Sequence, residues 1–175
     1  MKLNAEDLHY RELNNAIRKK IAEGETEIVL DNVCGHRYIG DGMKDEVDIE
    51  INGTPGNDLG AFMDGVNIVV NGNVQDGVAN TMNSGSLIVR GTAGDILGYS
   101  MRGGRVTVRD NVGYRAGIHM KEYREKRPTM VIGGRAGDYL GEYMAGGVLI
   151  VLGIQNGESQ NNSDDRGSPV GVNLG

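Results

Sequence analysis

The sequence is poor in cysteine, proline and large aromatic residues. Its 175 residues include one cysteine, Cys34, three prolines, one phenylalanine and no tryptophan. A lone cysteine excludes an internal disulfide, and it excludes a cysteine-based zinc site or iron–sulfur cluster held by this chain alone. The longest apolar run, residues 148–152, is too short to span a bilayer, and the first residues have no apolar signal region. We therefore expect a cytoplasmic protein with no membrane contact.

Positive charge is also scarce. Lysine and arginine total 18 against 24 acidic residues, for a net charge of −6. A surface of this sign repels phosphate backbones, so the composition argues against a nucleic-acid partner and an anionic membrane surface.

Glycine, in contrast, is abundant and periodic. The chain has 29 glycines, more than twice the usual level of about 7%, and many recur every 19 residues. A five-residue insertion separates the fourth repeat from the fifth, and a degenerate earlier copy places Gly40 and Met43 one repeat before Gly60 and Met63. The repeat residues are Gly53, Gly72, Gly91 and Gly134; Gly56, Gly94, Gly113 and Gly137; Gly60, Gly98, Gly117 and Gly141; Met63, Met82, Met101, Met120 and Met144.

Each repeat also contains a short alternating apolar segment, as at Ile49/Ile51 and Ile68/Val70. Alternation places both side chains on one face of a strand, and such a unit buries that face only by stacking on copies of itself. The sequence thus predicts an all-β protein, a right-handed parallel β-helix with coils of about 19 residues. Helical spacing of apolar residues over 5–23 predicts an N-terminal helical cap within residues 1–24, with the β-helix over 25–175.

Three patterns that could signify chemistry have simpler explanations. The glycine-rich residues 132–137 resemble a nucleotide loop, but more glycines follow at once and no helix can form to face a phosphate. Methionines one coil apart form a ladder unsuited to a closed metal shell, so we place them in the core. The recurring aspartates, Asp76, Asp95 and Asp138 with Asp58 nearby, are interpreted as caps of each corner.

Two further segments are candidates for partner contact. Residues 34–38 combine Cys34, His36 and Arg37, yet adjacent residues on a strand point apart and no acidic residue orients the histidine. Insertions in solenoids form loops on one face that often bind partners, and here the insertion is residues 121–128. We predict possible partner contacts at His36, Arg37, Tyr123 and Arg124, and no catalytic, cofactor or metal residue.

The repeat resembles the glycine-rich β-helix (GXGXG) domain at the C-terminus of the glutamate synthase large subunit. The resemblance covers most of residues 10–175 and is carried by NTMN at 80–83, YSMRGG at 99–104, GIHMKEY at 117–123 and GEYMAGG at 141–147. These segments look most like the free-standing version of the domain, a separate polypeptide of archaea and some bacteria.

The resemblance implies a non-catalytic scaffold subunit of glutamate synthase, an enzyme that makes two glutamates from glutamine, 2-oxoglutarate and two electrons. It implies amidotransferase and synthase subunits as partners, with FMN and the iron–sulfur cluster in those partners and no cofactor in this chain. The alternatives are the C-type subunit of formylmethanofuran dehydrogenase, which has related coils, and a general β-helix interaction module. A left-handed β-helix acyltransferase is disfavoured because those enzymes repeat every six residues.

The C-terminal residues 171–175 repeat the start of a coil but stop before its methionine. We therefore expect an unfinished coil, with either self-association through an open edge at residues 149–152 or a disordered tail from about residue 155.

Overall fold

The computed structural model describes residues 1–154 and has one helix and one all-parallel sheet. The sheet contains eight strands in sequence order, each paired with the strand before and after it. This is the predicted parallel β-solenoid, with a helix near its N-terminus. The elements are β1 (Lys2–Asn4), α1 (Tyr10–Ala22), β2 (Glu27–Cys34), β3 (Asp48–Thr54), β4 (Asp64–Asn71), β5 (Ser84–Val89), β6 (Arg105–Val108), β7 (Thr129–Ile132) and β8 (Val148–Val151).

The strand register follows the sequence period. Ile49 pairs with Ile68 and Ile68 with Leu87, so equivalent residues of successive coils lie directly above one another. Their side chains point inward and are at most 1% exposed. The five-residue insertion lies between β6 and β7 and leaves the register intact, because Val106 pairs with Met130.

The opposite wall of the core consists of the methionines and a second apolar column. Met63, Met82, Met101 and Met120 are fully buried, and Met144 of the last described coil is half-buried. The residues of the second column, all at most 5% exposed, are Leu59, Val78, Leu97, Ala116 and Leu140.

The helix α1 packs its apolar face against the first coil. It starts after His9, which accepts a hydrogen bond from the Arg11 backbone in a capping box with Glu12, and it buries Leu13 and Ile17 in the common core. Its capping arrangement satisfies backbone donors that the first turn leaves free.

The strand β1 was not predicted. It precedes the helix and pairs in parallel with β2, Leu3 opposite Leu30. Three residues with one apolar side chain carry no periodic signal, so only the exposed edge of β2 determines this pairing. The predicted unfinished coil at 171–175 and the tail from residue 155 lie outside the described residues.

Candidate interaction surface

The cysteine and histidine of the first coil do not form a nucleophile–base pair. His36 is 8% exposed and uses both ring nitrogens: Nδ1 accepts a hydrogen bond from the Cys34 backbone N–H at 3.1 Å, and Nε2 donates to the Leu8 carbonyl at 2.9 Å. A backbone N–H can only donate, so Nδ1 carries no proton in this arrangement. His36 ties the segment before α1 to the first coil, and its buried side chain is not available to a partner.

Two of the recurring aspartates, Asp76 and Asp95, accept hydrogen bonds from the next coil rather than capping their own corners. Oδ1 of Asp76 accepts the Asp95 backbone N–H at 2.8 Å, and Oδ1 of Asp95 accepts the Tyr114 N–H at 2.8 Å. Asn111 does the same for Arg135. The predicted Asx-turn role is therefore wrong for these residues, because each donor lies one coil further on. No cluster of metal-ligating His, Cys, Asp or Glu occurs within residues 1–154.

This ladder explains the glycine at the second position of two corners, Gly94 and Gly113, whereas Gly56 and Gly137 lie against backbone of the preceding coil. A Cβ at Gly94 would lie 2.1 Å from Oδ1 of Asp76, and one at Gly113 would lie 2.0 Å from Oδ1 of Asp95. The aspartate side chain of one coil thus occupies the space that a Cβ atom of the next coil would need. The glycines make room for inter-coil hydrogen bonds and do not surround a phosphate.

Each corner also contains three residues with positive φ at alternate positions, a feature that the sequence did not reveal. In one coil these are Ile96, Gly98 and Ser100, with φ of 50°, 67° and 52°. Their backbone N–H groups bond alternately forward and back: Ile96 to the Tyr114 carbonyl, Gly98 to the Val78 carbonyl. Only the middle position of this triplet favours glycine, so the flanking residues leave no compositional signal.

Most flanking positions of the last three full corners, together with the adjacent Tyr99 and Tyr114, form an exposed and largely aromatic surface, which we call the aromatic ridge. Its large apolar members are between 37% and 69% exposed, and its Arg115 and His119 are also exposed. The ridge consists of Ile96, Tyr99, Tyr114, Arg115, His119, Tyr139 and Tyr143.

Contacts between coils hold the ridge side chains in place. The His119 ring stacks on Tyr143 with centroids 5.2 Å apart and meets Tyr99 edge-on at 5.8 Å. The Arg115 guanidinium lies 4.7 Å from the Tyr139 ring centroid, and its Nε bonds to Glu142 at 3.1 Å. Three of the seven tyrosines, Tyr99, Tyr139 and Tyr143, thus contact a side chain of a neighbouring coil, and Tyr114 lies exposed beside them.

The insertion loop lies against the solenoid instead of projecting freely. Nζ of Lys126 reaches back to Oδ1 of Asp64 at 2.9 Å, and Ser84 also donates to that oxygen at 2.6 Å. The Ser84 hydrogen bond, followed by Lys126, lowers the pKa of Asp64 below its ordinary value. At the loop tip Tyr123 is 47% exposed, with the Arg124 guanidinium 5.3 Å from its ring.

The remaining predicted contact, Arg37, is exposed on the first coil, and its carbonyl accepts a hydrogen bond from Asn14 of α1 at 2.8 Å. Arg37 therefore lies at the helix end of the solenoid, whereas Tyr123 and Arg124 follow the ridge residue His119 in sequence. The structure does not gather the four predicted contacts into one site. Within residues 1–154 no helix is long and apolar enough to cross a membrane, since α1 has 13 residues.

The repeat is shared with known proteins. The family model described as the GXGXG motif matches residues 11–163. A protein of Methanocaldococcus jannaschii, described as uncharacterized protein MJ1350, is 50% identical over 172 residues, or 97% of this chain. The chain spans 62% of the length of that relative. No solved structure gives a significant match. The chain therefore belongs to the GXGXG-motif family, the family of the C-terminal domain of the glutamate synthase large subunit.

Proposed function

We propose that this chain is a non-catalytic scaffold subunit of a glutamate synthase assembly in the cytoplasm. In this role it packs against the amidotransferase and synthase subunits and fixes their relative position along the path of ammonia. FMN, the iron–sulfur cluster and the glutaminase nucleophile belong to those partners. The chain itself binds no flavin and turns over no substrate.

The aromatic ridge is the observation that carries the proposal. Tyrosine and arginine are enriched at the energetic centres of protein interfaces, because they bury large areas while keeping a polar group at the rim. On the ridge these side chains are stacked and ion-paired before any partner arrives. Little further side-chain entropy is lost on docking, which favours a specific interface.

The rigid solenoid beneath the ridge suits a positioning role. Successive coils are joined by the strand ladder and by the side-chain ladder of Asp76 and Asp95. A surface on such a frame holds two partners at a fixed separation. Membership of the family supports the choice of those partners, and the geometry of the ridge supports the choice of this surface.

The proposal is tested by mixing the purified chain with the amidotransferase and synthase subunits of the same organism. We expect a stoichiometric complex by size-exclusion chromatography with light scattering. Tyr114→Ser combined with Tyr143→Ser is expected to weaken binding at least 30-fold, the effect of losing about 2 kcal/mol at an interface centre.

Phe62→Ser is the matched control. Phe62 is 53% exposed, has φ of 58° and occupies the corner position of Tyr143 in an earlier coil, outside the ridge. Its variant is expected to bind like the wild type. Absence of a complex, equal binding by the ridge variant, or assembly instead with the pterin-containing subunits of formylmethanofuran dehydrogenase would overturn the proposal.

A further inference from the structure

The outer face of the sheet carries charges of opposite sign at its two ends. On β2 and β3 the outward side chains include Glu27, Asp48 and Glu50, all exposed. Two and three strands further on, the outward side chains of the same face are basic, and those are Arg90, Arg105 and Arg109, all exposed. The face thus changes from mainly acidic to basic along the solenoid axis, with Lys2 of β1 paired to Asp31 at the acidic end at 2.9 Å.

The register fixes how these charges line up. Glu27 pairs with Asp48, then Asn67, Ser86 and Arg105 follow at the same level of successive strands. The next outward level runs through Val29, Glu50, Val69, Ile88 and Thr107. At the third level Asp31 accepts a hydrogen bond from Asn52, and Arg90 donates to Asn71. The acidic strand β2 and the basic strand β6 are thus equally distant from β4.

The centre of this face is slightly concave and combines apolar side chains with the carboxylate of Glu50. Val69 of β4 is half-buried and its neighbour Ile88 is 41% exposed. A shallow hollow of about 420 Å³ lies over β2 to β4 and is bordered by Glu27, Glu50 and Arg90. Asp48 and Glu50 also line the hollow, so it combines apolar and charged side chains, as the rim of a protein interface does.

We propose that this face pairs with the same face of a second copy, with the two solenoid axes antiparallel. A two-fold axis parallel to the strands and passing through β4 places β2 against β6 and β3 against β5. Because that axis preserves the level along the strand, Glu27 faces Arg105, and Glu50, which accepts a hydrogen bond from Asn71, faces Ile88, each twice by symmetry. Asp31 and Arg109 also face each other, but Asp31 is already paired with Lys2 at 2.9 Å and Arg109 with Asp110 at 2.7 Å, so Glu27 and Arg105 supply the charge contact. Val69 then meets its own copy at the centre.

Charge selects this arrangement over the parallel one. A two-fold axis along the solenoid would set each coil against itself with the strand direction reversed. Glu27 would then face Asp31 and Arg105 would face Arg109, and like charges in contact oppose association. The paired face covers the seven strands from β1 to β7, which are centred on β4. At the usual strand and residue spacings it measures roughly 29 Å by 17 Å, so the two copies together bury on the order of 1,000 Å². That area is at the lower limit of specific interfaces, so the dimer is weak and sensitive to salt. The ridge lies on a different segment of each coil, so this inference does not depend on the proposed function.

Sedimentation velocity across protein concentration and salt tests the pairing. We expect a monomer–dimer equilibrium whose dissociation constant rises at least 10-fold between 50 mM and 500 mM NaCl, because salt screens the attraction between the opposite charges. Arg105→Glu alone and Glu27→Arg alone are each expected to weaken the dimer at least 10-fold at low salt.

The double variant Glu27→Arg with Arg105→Glu restores opposite charges at the same contact, so it is expected to regain the dimer. Arg124→Glu, which changes an exposed arginine of the insertion loop, serves as the charge control and is expected to leave the equilibrium unchanged. Thermal unfolding of each variant checks that the fold is retained. A wild-type monomer at every salt concentration, a double variant that stays monomeric, or an equal loss in the control would overturn the inference.

Discussion

At the scale of single residues, the unusual feature is non-glycine backbone in the left-handed region. Ile96 has φ of 50° although it is β-branched, a residue type for which this conformation is a genuine outlier. Its N–H bonds to the Tyr114 carbonyl of the next coil at 2.8 Å. The inter-coil hydrogen bonds therefore hold the corner backbone against an unfavourable local conformation.

Substitution of Ile96 by glycine measures that strain. Ile96 and Ile88 have similar exposure, 37% and 41%, but Ile88 lies in a strand with ordinary φ. Glycine removes a similar apolar area at both sites, and only at Ile96 does it also relieve about 1–2 kcal/mol of left-handed strain. In urea titrations, Ile96→Gly is expected to lower the free energy of unfolding by about 1–2 kcal/mol less than Ile88→Gly. Equal losses would contradict a strained corner.

The contact between Asp76 and Gly94 gives a second residue-scale prediction. Gly94→Ala is expected to destabilise the fold by about 2–4 kcal/mol, since its Cβ would lie 2.1 Å from Asp76 Oδ1. In an Asp76→Ala background the nearest remaining atom is a backbone carbon at 3.1 Å, so the penalty is expected to shrink by 1 kcal/mol or more, on the order of a contact coupling. Additive effects in the double-mutant cycle would exclude the proposed steric cause.

The positions of the buried residues can be predicted from the sequence, whereas those of the ridge residues cannot. The 19-residue period identifies the buried columns, because a stacked core repeats the same residue type at the same level, as Met63, Met82 and Met101 do. The ridge has no such period: Ser100, His119 and Tyr143 occupy equivalent positions and share no chemistry. Exposed positions are free to vary from coil to coil, so only the stacking of coils brings His119 and Tyr143 together.

At the scale of elements, each methionine of the column is expected to contribute to the free energy of unfolding in proportion to its burial. Met101→Ala is expected to lower the free energy of unfolding by about 2–4 kcal/mol, because the side chain is fully buried and leaves a cavity. Met144→Ala is the matched substitution in the last described coil, where the side chain is half-buried, and it is expected to have a smaller effect. Chemical denaturation of both variants checks this order, and an unchanged Met101→Ala protein would place that residue outside the core.

The contact between Lys126 of the insertion loop and Asp64 makes the free energy of unfolding dependent on pH. The pKa of Asp64 is lowered in the folded state, so its contribution is present above the unfolded carboxyl value of about 3.9 and is lost as the pH falls through the folded value. Both partners are partly exposed, 41% for Lys126 and 38% for Asp64. Lys126→Met is therefore expected to remove only about 0.5 kcal/mol at pH 7.

The deficit of Lys126→Met should disappear as the pH is lowered from about 5 towards 2, where Asp64 is protonated in both states. Lys121→Met, at an exposed lysine of the same loop, provides the control for loss of a positive charge. Thermal melts as a function of pH follow both variants. A deficit that is constant with pH, or one equal for the two lysines, would be inconsistent with the Asp64 contact.

At the scale of the whole molecule, the repeat predicts the solenoid but not its N-terminal edge. Period and alternation together fix the coil length and strand register, because a coil of constant length can only stack in register. They do not predict β1, which joins the sheet through the free edge of β2. They also do not predict that Lys126 contacts Asp64 across 62 residues, since the insertion lies outside the period.

The two exposed surfaces divide the tasks of the whole molecule. In the proposed function the aromatic ridge contacts the partners of a glutamate synthase assembly, and in the further inference the charged sheet face pairs with a second copy. Neither surface contains a nucleophile–base pair or a metal-ligand cluster within residues 1–154. The central claim is the proposed role, in which this chain positions the other subunits of the assembly.

The most direct test of that claim is the coupling ratio of a reconstituted assembly, glutamate formed per ammonia released from glutamine. The amidotransferase and synthase subunits are assayed with 2-oxoglutarate and an electron donor, with and without this chain. We predict that adding the chain raises the ratio and that the Tyr114→Ser, Tyr143→Ser variant does not, whereas Phe62→Ser acts like the wild type. A ratio that is the same with and without the chain would contradict the scaffold role.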